Sequence, residues 1–336
     1  MSNGPRRGRR SALPLTISIL VVLGVIAVSL SSFYADFLWF RSVDYLQVWQ
    51  TTFFTRATLF ILTGLITALL VIANVFIAYK SRPVFAPLSI EADSLERYRS
   101  QIEPIKKVAI LGGSLAIFYF AGSAGSQLWR PWLIWQNSTP FGEKDPQFNL
   151  DISFFAFKLP FYQALIGWFI STIIIGLLAA AVVHYLYGGI RPQGPGDRTT
   201  VAARVQLSVL LGFIVLAKAV AYWFDRYALA LKDDRIITGL TYTDVNAVLP
   251  AKAILAGIAA ICSLLFFANI FRKSWQLPGA GVALLALSSI VISGLYPAAI
   301  QQFQVKPSES TKEAPYIERN IKATRAAYGI DKTEIV

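Results

Sequence analysis

Long runs of apolar residues dominate this chain, and its polar residues fall mostly between those runs. Seven runs approach the roughly 20 residues that a helix needs to cross the hydrocarbon core of a bilayer. In lipid, only a helix or a closed barrel pairs all its backbone amides, so each run predicts a transmembrane helix. The runs are Leu13 to Leu30, Ala57 to Tyr79, Val108 to Ser126, Phe161 to Tyr187, Val201 to Phe224, Ala253 to Phe271 and Gly281 to Ile300. The predicted fold class is all-α, a polytopic transmembrane helix bundle of about seven spans.

The composition supports this prediction. Of 336 residues, 55% are hydrophobic and 15% are charged, and the mean hydropathy is +0.54, which excludes an ordinary soluble domain. The net charge of +12 does not indicate nucleic-acid binding, because the basic residues lie in connectors beside apolar runs. One Cys (Cys262) and one His (His184) argue against a zinc or iron site, and we expect no metal and no cofactor.

The distribution of Lys and Arg predicts the orientation. If the N-terminus is cytoplasmic, the inner segments hold 15 basic and 5 acidic residues, whereas the outer loops hold 9 of each. Basic residues are retained on the cytoplasmic side of membrane proteins. The sequence therefore predicts a cytoplasmic N-terminus and an extracytoplasmic C-terminus.

The same patterns divide the chain into parts. Residues 1–12 form a basic cytoplasmic N-terminus, and residues 13–300 form the seven-span domain. The first apolar run is interpreted as an uncleaved span rather than a signal peptide, because it is long and no cleavage site follows it. Residues 127–160 form an outer loop. The polar residues 301–336 are expected to be an extracytoplasmic tail that begins a further soluble domain.

The inner connector 81–107 has a pattern of its own. Leu95, Tyr98, Ile102 and Ile105 recur at spacings of three and four, with charged residues between them. This periodicity predicts an amphipathic helix. Such a helix either lies among the lipid headgroups or packs on the cytoplasmic ends of the bundle.

The aromatic and acidic stretch Phe141 to Tyr162 carries the first candidate site. Asp145, Gln147, Asn149 and Asp151 alternate as the oxygen ligands of a calcium loop do, but Leu150 replaces the glycine that an EF-hand needs. The structural alternative is favoured, with a turn at Asp145-Pro146 and Pro160 in the first turn of the fourth span. The phenylalanines are then expected to enter the membrane interface; they are Phe148, Phe154, Phe155 and Phe157.

An intramembrane polar site is the second candidate, and it consists of Lys218, Tyr222 and Asp225. A cation within a span costs a few kcal/mol unless it is paired or reaches water. These three residues share one helical face, which allows an ion or proton pathway. The structural alternative is that Lys218 extends toward the outer boundary or pairs with an acid of another helix.

The remaining polar residues of the runs are interpreted as structural. Asn74 and Asn269 are expected to bond between helices, and His184 lacks neighbours at metal-ligand spacing. Thr243-Asp244, just before the sixth span, predicts a helix N-cap. No motif for a nucleophile, a zinc protease or a dinucleotide site is found, so the sequence predicts no catalytic residue and leans against an enzyme.

Three segments together resemble the bacterial membrane proteins of uncharacterised protein family 0182. The segments are Phe141-Gly-Glu-Lys-Asp-Pro-Gln-Phe148 with Asp151-Ile-Ser-Phe-Phe155 and Leu159-Pro160, then Tyr242-Thr-Asp-Val-Asn-Ala-Val-Leu-Pro-Ala251, and finally Pro297 with Gln302-Phe-Gln-Val305, Pro315-Tyr-Ile317, Asn320-Ile321, Thr324-Arg325 and Ala327-Tyr328. The resemblance implies seven N-terminal spans followed by a large extracytoplasmic domain. It implies no catalytic residue.

These observations predict a multi-pass protein of a bacterial plasma membrane. The interpretation favoured is an envelope scaffold or complex component that anchors an extracytoplasmic domain. The alternative is a transporter or channel that uses Lys218. The expected partners are the lipid bilayer and other membrane or envelope proteins, and no nucleic acid is expected.

Overall fold

The computed structural model of the protein describes residues 13–83, 101, 103–191, 198–233, 237–272 and 275–330. Almost all of this part of the chain is helical. The α-helices, numbered in chain order, are α1 (Leu13–Ser42), α2 (Leu46–Lys80), α3 (Lys106–Ser126), α4 (Trp129–Gln136), α5 (Leu159–Leu186), α6 (Val201–Ala228), α7 (Leu249–Arg272), α8 (Gln276–Ser288), α9 (Tyr296–Ile300) and α10 (Glu309–Ala327).

Seven helical stretches of the described chain are long and apolar enough to cross a membrane. They are Ile19–Ser42, Leu46–Lys80, Glu103–Ser126, Phe154–Leu186, Val201–Leu231, Asp244–Arg272 and Gln276–Ala327. The predicted all-α fold with seven spans is therefore confirmed. The seventh stretch continues past Ile300, so the boundary predicted between the last span and the tail lies inside one helical run.

Two predicted segments fall largely outside the described residues. They are the basic N-terminal residues 1–12 and the amphipathic helix expected within the connector 81–107. At the end of that connector, the 3₁₀ turn Glu103–Ile105 leads directly into α3.

The described chain falls into two compact units, within Met1–Thr58 and Leu59–Val336. In the first unit, aromatic rings join α1 to the start of α2. Phe33 lies 5.0 Å from Trp49 between ring centroids, and Trp49 stacks on Phe53 at 5.3 Å. Offset and edge contacts between aromatic rings add about 1 kcal/mol each beyond the area they bury.

In the second unit, two apolar clusters mark where the helices pack most closely. The first cluster joins α6 to α7 and contains Val215, Ala219, Ala259, Cys262 and Phe266. The second joins α2, α5 and α6 and contains Ala78, Ile173, Ala180 and Leu210. Both clusters contain two alanines, small residues of the kind that let helices approach closely in lipid.

Buried polar side chains connect these helices by hydrogen bonds. Asn269 on α7 donates to the Ser208 hydroxyl on α6 at 2.7 Å. Gln206 donates to the backbone carbonyl of Asn74 at 2.9 Å, and its amide oxygen lies 2.9 Å from Nε2 of the buried His184. The prediction that Asn74 and Asn269 bond between helices is confirmed, and His184 has a structural partner.

Wider π-helical turns interrupt the helices at four places in the described chain: Phe154–Lys158, Asp244–Val248, Ser289–Leu295 and Gln301–Val305. In each case a proline follows two residues after the π turn. Proline has no amide hydrogen, and its ring clashes with the carbonyl four residues earlier in a regular α-helix. A π turn moves that carbonyl away, so the four prolines explain the position of the four turns.

Candidate functional site

Two stretches of the chain share one local architecture. We call Asp151–Leu165 the first Leu-Pro segment and Thr241–Leu255 the second Leu-Pro segment. Each begins with a side chain that caps a helix nine residues before the proline, continues through a π turn, and enters a long span at Leu-Pro. Pro160 lies in the first turn of α5, as predicted.

In the second Leu-Pro segment, Thr241 and Asp244 cap each other. The Asp244 carboxylate accepts the Thr241 amide at 3.1 Å, and the Thr241 hydroxyl lies 3.3 Å from the Asp244 amide. This is the reciprocal arrangement of a capping box. The N-cap predicted at Thr243-Asp244 is confirmed only for Asp244, which takes part in the capping box. Thr243 already has helical torsions, and its hydroxyl donates to Gln301 on the last helical run.

Asp244 also forms an ion pair. Its side chain is only 3% exposed, and its two oxygens lie 3.1 and 3.2 Å from the Lys232 ammonium, which is 40% exposed. A carboxylate this deeply buried is tolerated when hydrogen bonds and a counter-charge satisfy it. Lys232 and the capping box together fix the orientation of this carboxylate.

Helix α10 packs on the second Leu-Pro segment and on the loop before it. Glu313 is buried, and both of its carboxylate oxygens accept the Tyr242 amide, at 3.0 and 3.2 Å. Two further contacts involve residues four positions after and four positions before Tyr242. The Asn246 amide group donates to the Tyr316 hydroxyl at 3.5 Å, and Asn320 donates to the Thr238 carbonyl at 2.8 Å. Helix α10 is therefore held by two side chains that bond to backbone groups, Glu313 and Asn320, and by one contact between side chains.

A cavity of about 740 Å³ lies between the second Leu-Pro segment and the last helical run. Its walls are Lys232, Thr241, Thr243, Asp244, Val248, Pro297, Ala298, Gln301, Lys306, Glu309 and Glu313. The volume is within the usual range of small-molecule sites. Two π turns, Asp244–Val248 and Gln301–Val305, contribute walls to it, and such turns are frequent at functional sites.

The cavity wall carries both signs of charge, with two lysines and three carboxylates. Asp244 and Glu313 are already hydrogen-bonded within the protein, whereas Lys306 and Glu309 are exposed at its rim. Fixed, buried carboxylates favour binding and orientation over proton transfer. No group of three or more His, Cys, Asp or Glu in the described chain is arranged to hold a metal ion.

The first Leu-Pro segment is filled by aromatic rings instead. Phe148, Phe154 and Phe155 surround Tyr227 at the end of α6, with ring centroids 5.1, 5.4 and 6.5 Å from the tyrosine ring. Phe155 is 4% exposed. The expectation that Phe155 enters the membrane interface is therefore wrong, because the ring packs inside the protein.

The carboxylates of the preceding loop are bonded to backbone amides. Asp145 accepts the amides of Gln147 and Phe148 at 2.9 and 2.7 Å. Asp151 accepts the amides of Phe141, Gly142 and Ser153. The Ser153 hydroxyl, followed by these amides, lowers the pKa of Asp151 well below its usual range. Turn formation accounts for both carboxylates.

Lys218 and Asp225 of the predicted intramembrane polar site have different partners. The Lys218 ammonium lies 5.1 Å from the centre of the Tyr222 ring, within cation–π distance. Asp225 forms its ion pair with Lys252 on α7, at 3.3 Å. Within the described part of the chain, no carboxylate lies within ion-pair distance of Lys218.

A family model described as "Uncharacterised protein family (UPF0182)" matches residues 13–336. The chain belongs to this family. It is 50% identical to UPF0182 protein SCO5204 of Streptomyces coelicolor over 98% of this chain and 34% of that protein. It is 48% identical to a UPF0182 protein of Nocardioides sp. over 97% of this chain and 33% of that protein. It is 46% identical to a UPF0182 protein of Thermobifida fusca over 99% of this chain and 32% of that protein.

The chain therefore spans about a third of the length of the curated relatives it matches. No solved structure matches it. The family resemblance predicted from the three loop segments is confirmed. Two of those segments, Tyr242 to Ala251 and the residues around Pro297 to Tyr328, form the walls of the cavity in this UPF0182 chain.

The cavity residues were missed as a site by sequence reasoning. Lys232, Glu309 and Glu313 lie in polar stretches where a charged residue is ordinary. The usable signal was the repeated Leu-Pro after a capping residue, which marks the second segment as a counterpart of the first.

Proposed function

We propose that this protein is a membrane-embedded platform that holds and orients the segment following its last span, as an envelope scaffold or a component of a larger complex. The observation that carries the proposal is the attachment of α10. Its Glu313 is buried against the Tyr242 amide, and Asn320 bonds the Thr238 carbonyl. The helix continuous with the last span is thereby fixed on the bundle.

The family relationship supports the same function. The relatives are about three times as long as this chain, so in them most of the sequence lies outside the matched third. A fixed helix at the end of a bundle sets the direction of whatever is joined to it. We place that end on the extracytoplasmic side, as the distribution of Lys and Arg predicts.

Cysteine cross-linking in native membranes tests the attachment. In a Cys262→Ala background, Thr238→Cys with Asn320→Cys should form a disulfide under mild oxidation. The control pair, Thr238→Cys with Glu318→Cys, should remain reduced because Glu318 is exposed on another face of α10. Ser308→Cys should react with a membrane-impermeant maleimide added to intact cells.

Affinity purification from native membranes tests the platform function. Envelope proteins that co-purify with the wild type should be lost when Glu313→Ala and Asn320→Ala release α10. The transporter alternative makes a different prediction, because Lys218→Leu would then abolish solute flux in proteoliposomes. Loss of flux with unchanged partners would reject the platform.

A further inference from the structure

The cavity of the second Leu-Pro segment is built from groups that are held in place before any ligand arrives. Thr241, Thr243, Asp244 and Glu313 are each less than 9% exposed, and each has a hydrogen-bond partner inside the protein. Such a wall loses little conformational freedom when a ligand binds, which is what makes a site selective.

The character of the wall changes along the last helical run. Pro297 and Ala298 come first and, with Val248, form an apolar end, whereas Lys306 and Glu309 form a charged end. From Pro297 to Glu313 the helix rises by about 24 Å, at about 1.5 Å per residue. The apolar end lies in the apolar run that ends at Ile300, and the charged end follows that run. A ligand that matches this wall is an amphiphile.

The charges identify the kind of headgroup. Three carboxylates and two lysines face the cavity, so an anion or a cation alone would meet a like charge there. Lys306 and Glu309 lie one helical turn apart at the rim, and the Lys306 ammonium donates to Gln302 at 2.7 Å. A phosphate beside a primary ammonium complements this pair, because each of its charges meets the opposite one.

We propose that this cavity binds the zwitterionic headgroup of a phospholipid such as phosphatidylethanolamine, with Lys306 at the phosphate and Glu309 at the ammonium. The acyl chains leave past Val248, Pro297 and Ala298. This site goes beyond the platform function, since the attachment of α10 through Glu313 and Asn320 does not require a lipid. A bound headgroup would join the second Leu-Pro segment to the last helical run.

The test uses the purified, delipidated chain in detergent, with native mass spectrometry to measure bound lipid and thermal unfolding to measure stabilisation. Phosphatidylethanolamine should bind and stabilise more strongly than phosphatidylglycerol, which lacks the ammonium, or phosphatidylcholine, whose ammonium has no hydrogen to donate. Soluble phosphoethanolamine should bind far more weakly. Binding as tight as that of the lipid would overturn the assignment to an amphiphile.

Matched variants locate the site. Lys306→Gln should weaken phosphatidylethanolamine binding about tenfold, as expected for loss of one charge-assisted hydrogen bond. Glu309→Gln should remove the preference over phosphatidylglycerol. Lys322→Gln and Glu318→Gln are controls on the exposed surface of the same helix and should change neither.

A second pair of variants blocks the apolar end without altering charge. Ala298→Trp should abolish lipid retention, whereas Ala299→Trp, outside the cavity, should not. The unfolding temperature of each lipid-free variant shows whether it has folded. Equal binding of all three lipids, or retention unaffected by Ala298→Trp and Lys306→Gln, would reject the site.

Discussion

The two Leu-Pro segments show how one backbone arrangement serves two purposes. Both place a cap, a π turn and Leu-Pro at the start of a long span. At the first segment, the rings of Phe154 and Phe155, together with Phe148 of the preceding loop, pack around Tyr227 of α6. In the second, polar and charged side chains leave a cavity of about 740 Å³. The backbone device is the same, so the side chains alone decide whether the space is filled.

The difference also concerns what each segment contacts. The first packs against the end of α6, within the bundle, while the second packs against α10, beyond the last span. A filled segment stabilises the bundle. An open one attached to a polar helix can bind a ligand or a partner. The predictions below test this contrast.

The largest effect is expected from removing the Tyr227 ring of α6, against which the first segment packs. Tyr227→Ala should lower the free energy of unfolding by about 3 kcal/mol, because it opens a space among three phenylalanines. Tyr242→Ala in the second segment should lower it by only about 1 kcal/mol, since that half-buried ring has a single aromatic neighbour in the described chain, Tyr316, beside the Lys312 ammonium. Chemical unfolding in detergent measures both, and equal losses would remove the contrast.

The ion pair of the second segment should give the next largest effect. Lys232→Gln should cost about 2 kcal/mol, because it leaves the buried Asp244 carboxylate without its counter-charge. Adding Asp244→Asn should recover part of this loss. The exposed Glu103–Lys106 pair is the control, and Glu103→Gln should have a far smaller effect on stability, because an exposed ion pair is screened by water. If Glu103→Gln destabilises the protein as much as Lys232→Gln does, the burial of Asp244 is not the cause of the larger loss.

Replacing the proline of each segment by alanine should change the local stability of the two segments by amounts that differ by about 1 kcal/mol. Pro250→Ala allows a regular α-turn, and the open second segment can relax into it. Pro160→Ala allows the same change, but the ring packing should hold the first π turn in place. Hydrogen exchange followed by mass spectrometry should therefore show slower exchange in residues 241–255 for the first variant, because a regular α-turn adds the backbone hydrogen bond that proline cannot make. Unchanged exchange in residues 151–165 is expected for the second.

The smallest effect concerns acid stability at the cap of the first segment. Hydrogen bonds lower the pKa of the Asp151 carboxyl in the folded protein, whereas the pKa of an Asp in an unfolded chain is about 3.9. The stabilisation is therefore complete above that value and is lost as the pH falls below it. Asp151→Asn should flatten the pH dependence of the unfolding temperature between about pH 5 and pH 2. A steep acid loss that persists in this variant would assign it to other carboxylates.

Several parts of the structure were predictable residue by residue. Asn74 and Asn269 bond between helices because a side-chain amide in an apolar span has few other partners: the Asn74 amide oxygen accepts from Gln206, and the Asn269 amide donates to Ser208. Pro160 lies in the first turn of α5, as predicted, and the π turn just before it accommodates the ring and the missing amide hydrogen. These predictions needed only the residue and its immediate neighbours.

Other features depended on residues far apart in the chain. The N-cap was expected at Thr243-Asp244, but Asp244 forms it with Thr241, and the Thr243 hydroxyl bonds to Gln301, 58 residues away. Asp225 was placed on a polar track with Lys218, but Lys252 of the next helix lies closer. Helical spacing shows which residues share a face, and it does not show which helix faces them.

The amino-acid sequence alone is sufficient to predict the seven apolar helices, because the length and composition of each run decide whether its backbone and side chains are stable in lipid. Three loop segments were sufficient to predict the family. The contact of Tyr242 with Glu313, 71 residues later, and the cavity beside Glu313 are visible only in the folded protein. The physical reason is range: partition into lipid is a property of each segment alone, whereas a cavity depends on how distant segments pack.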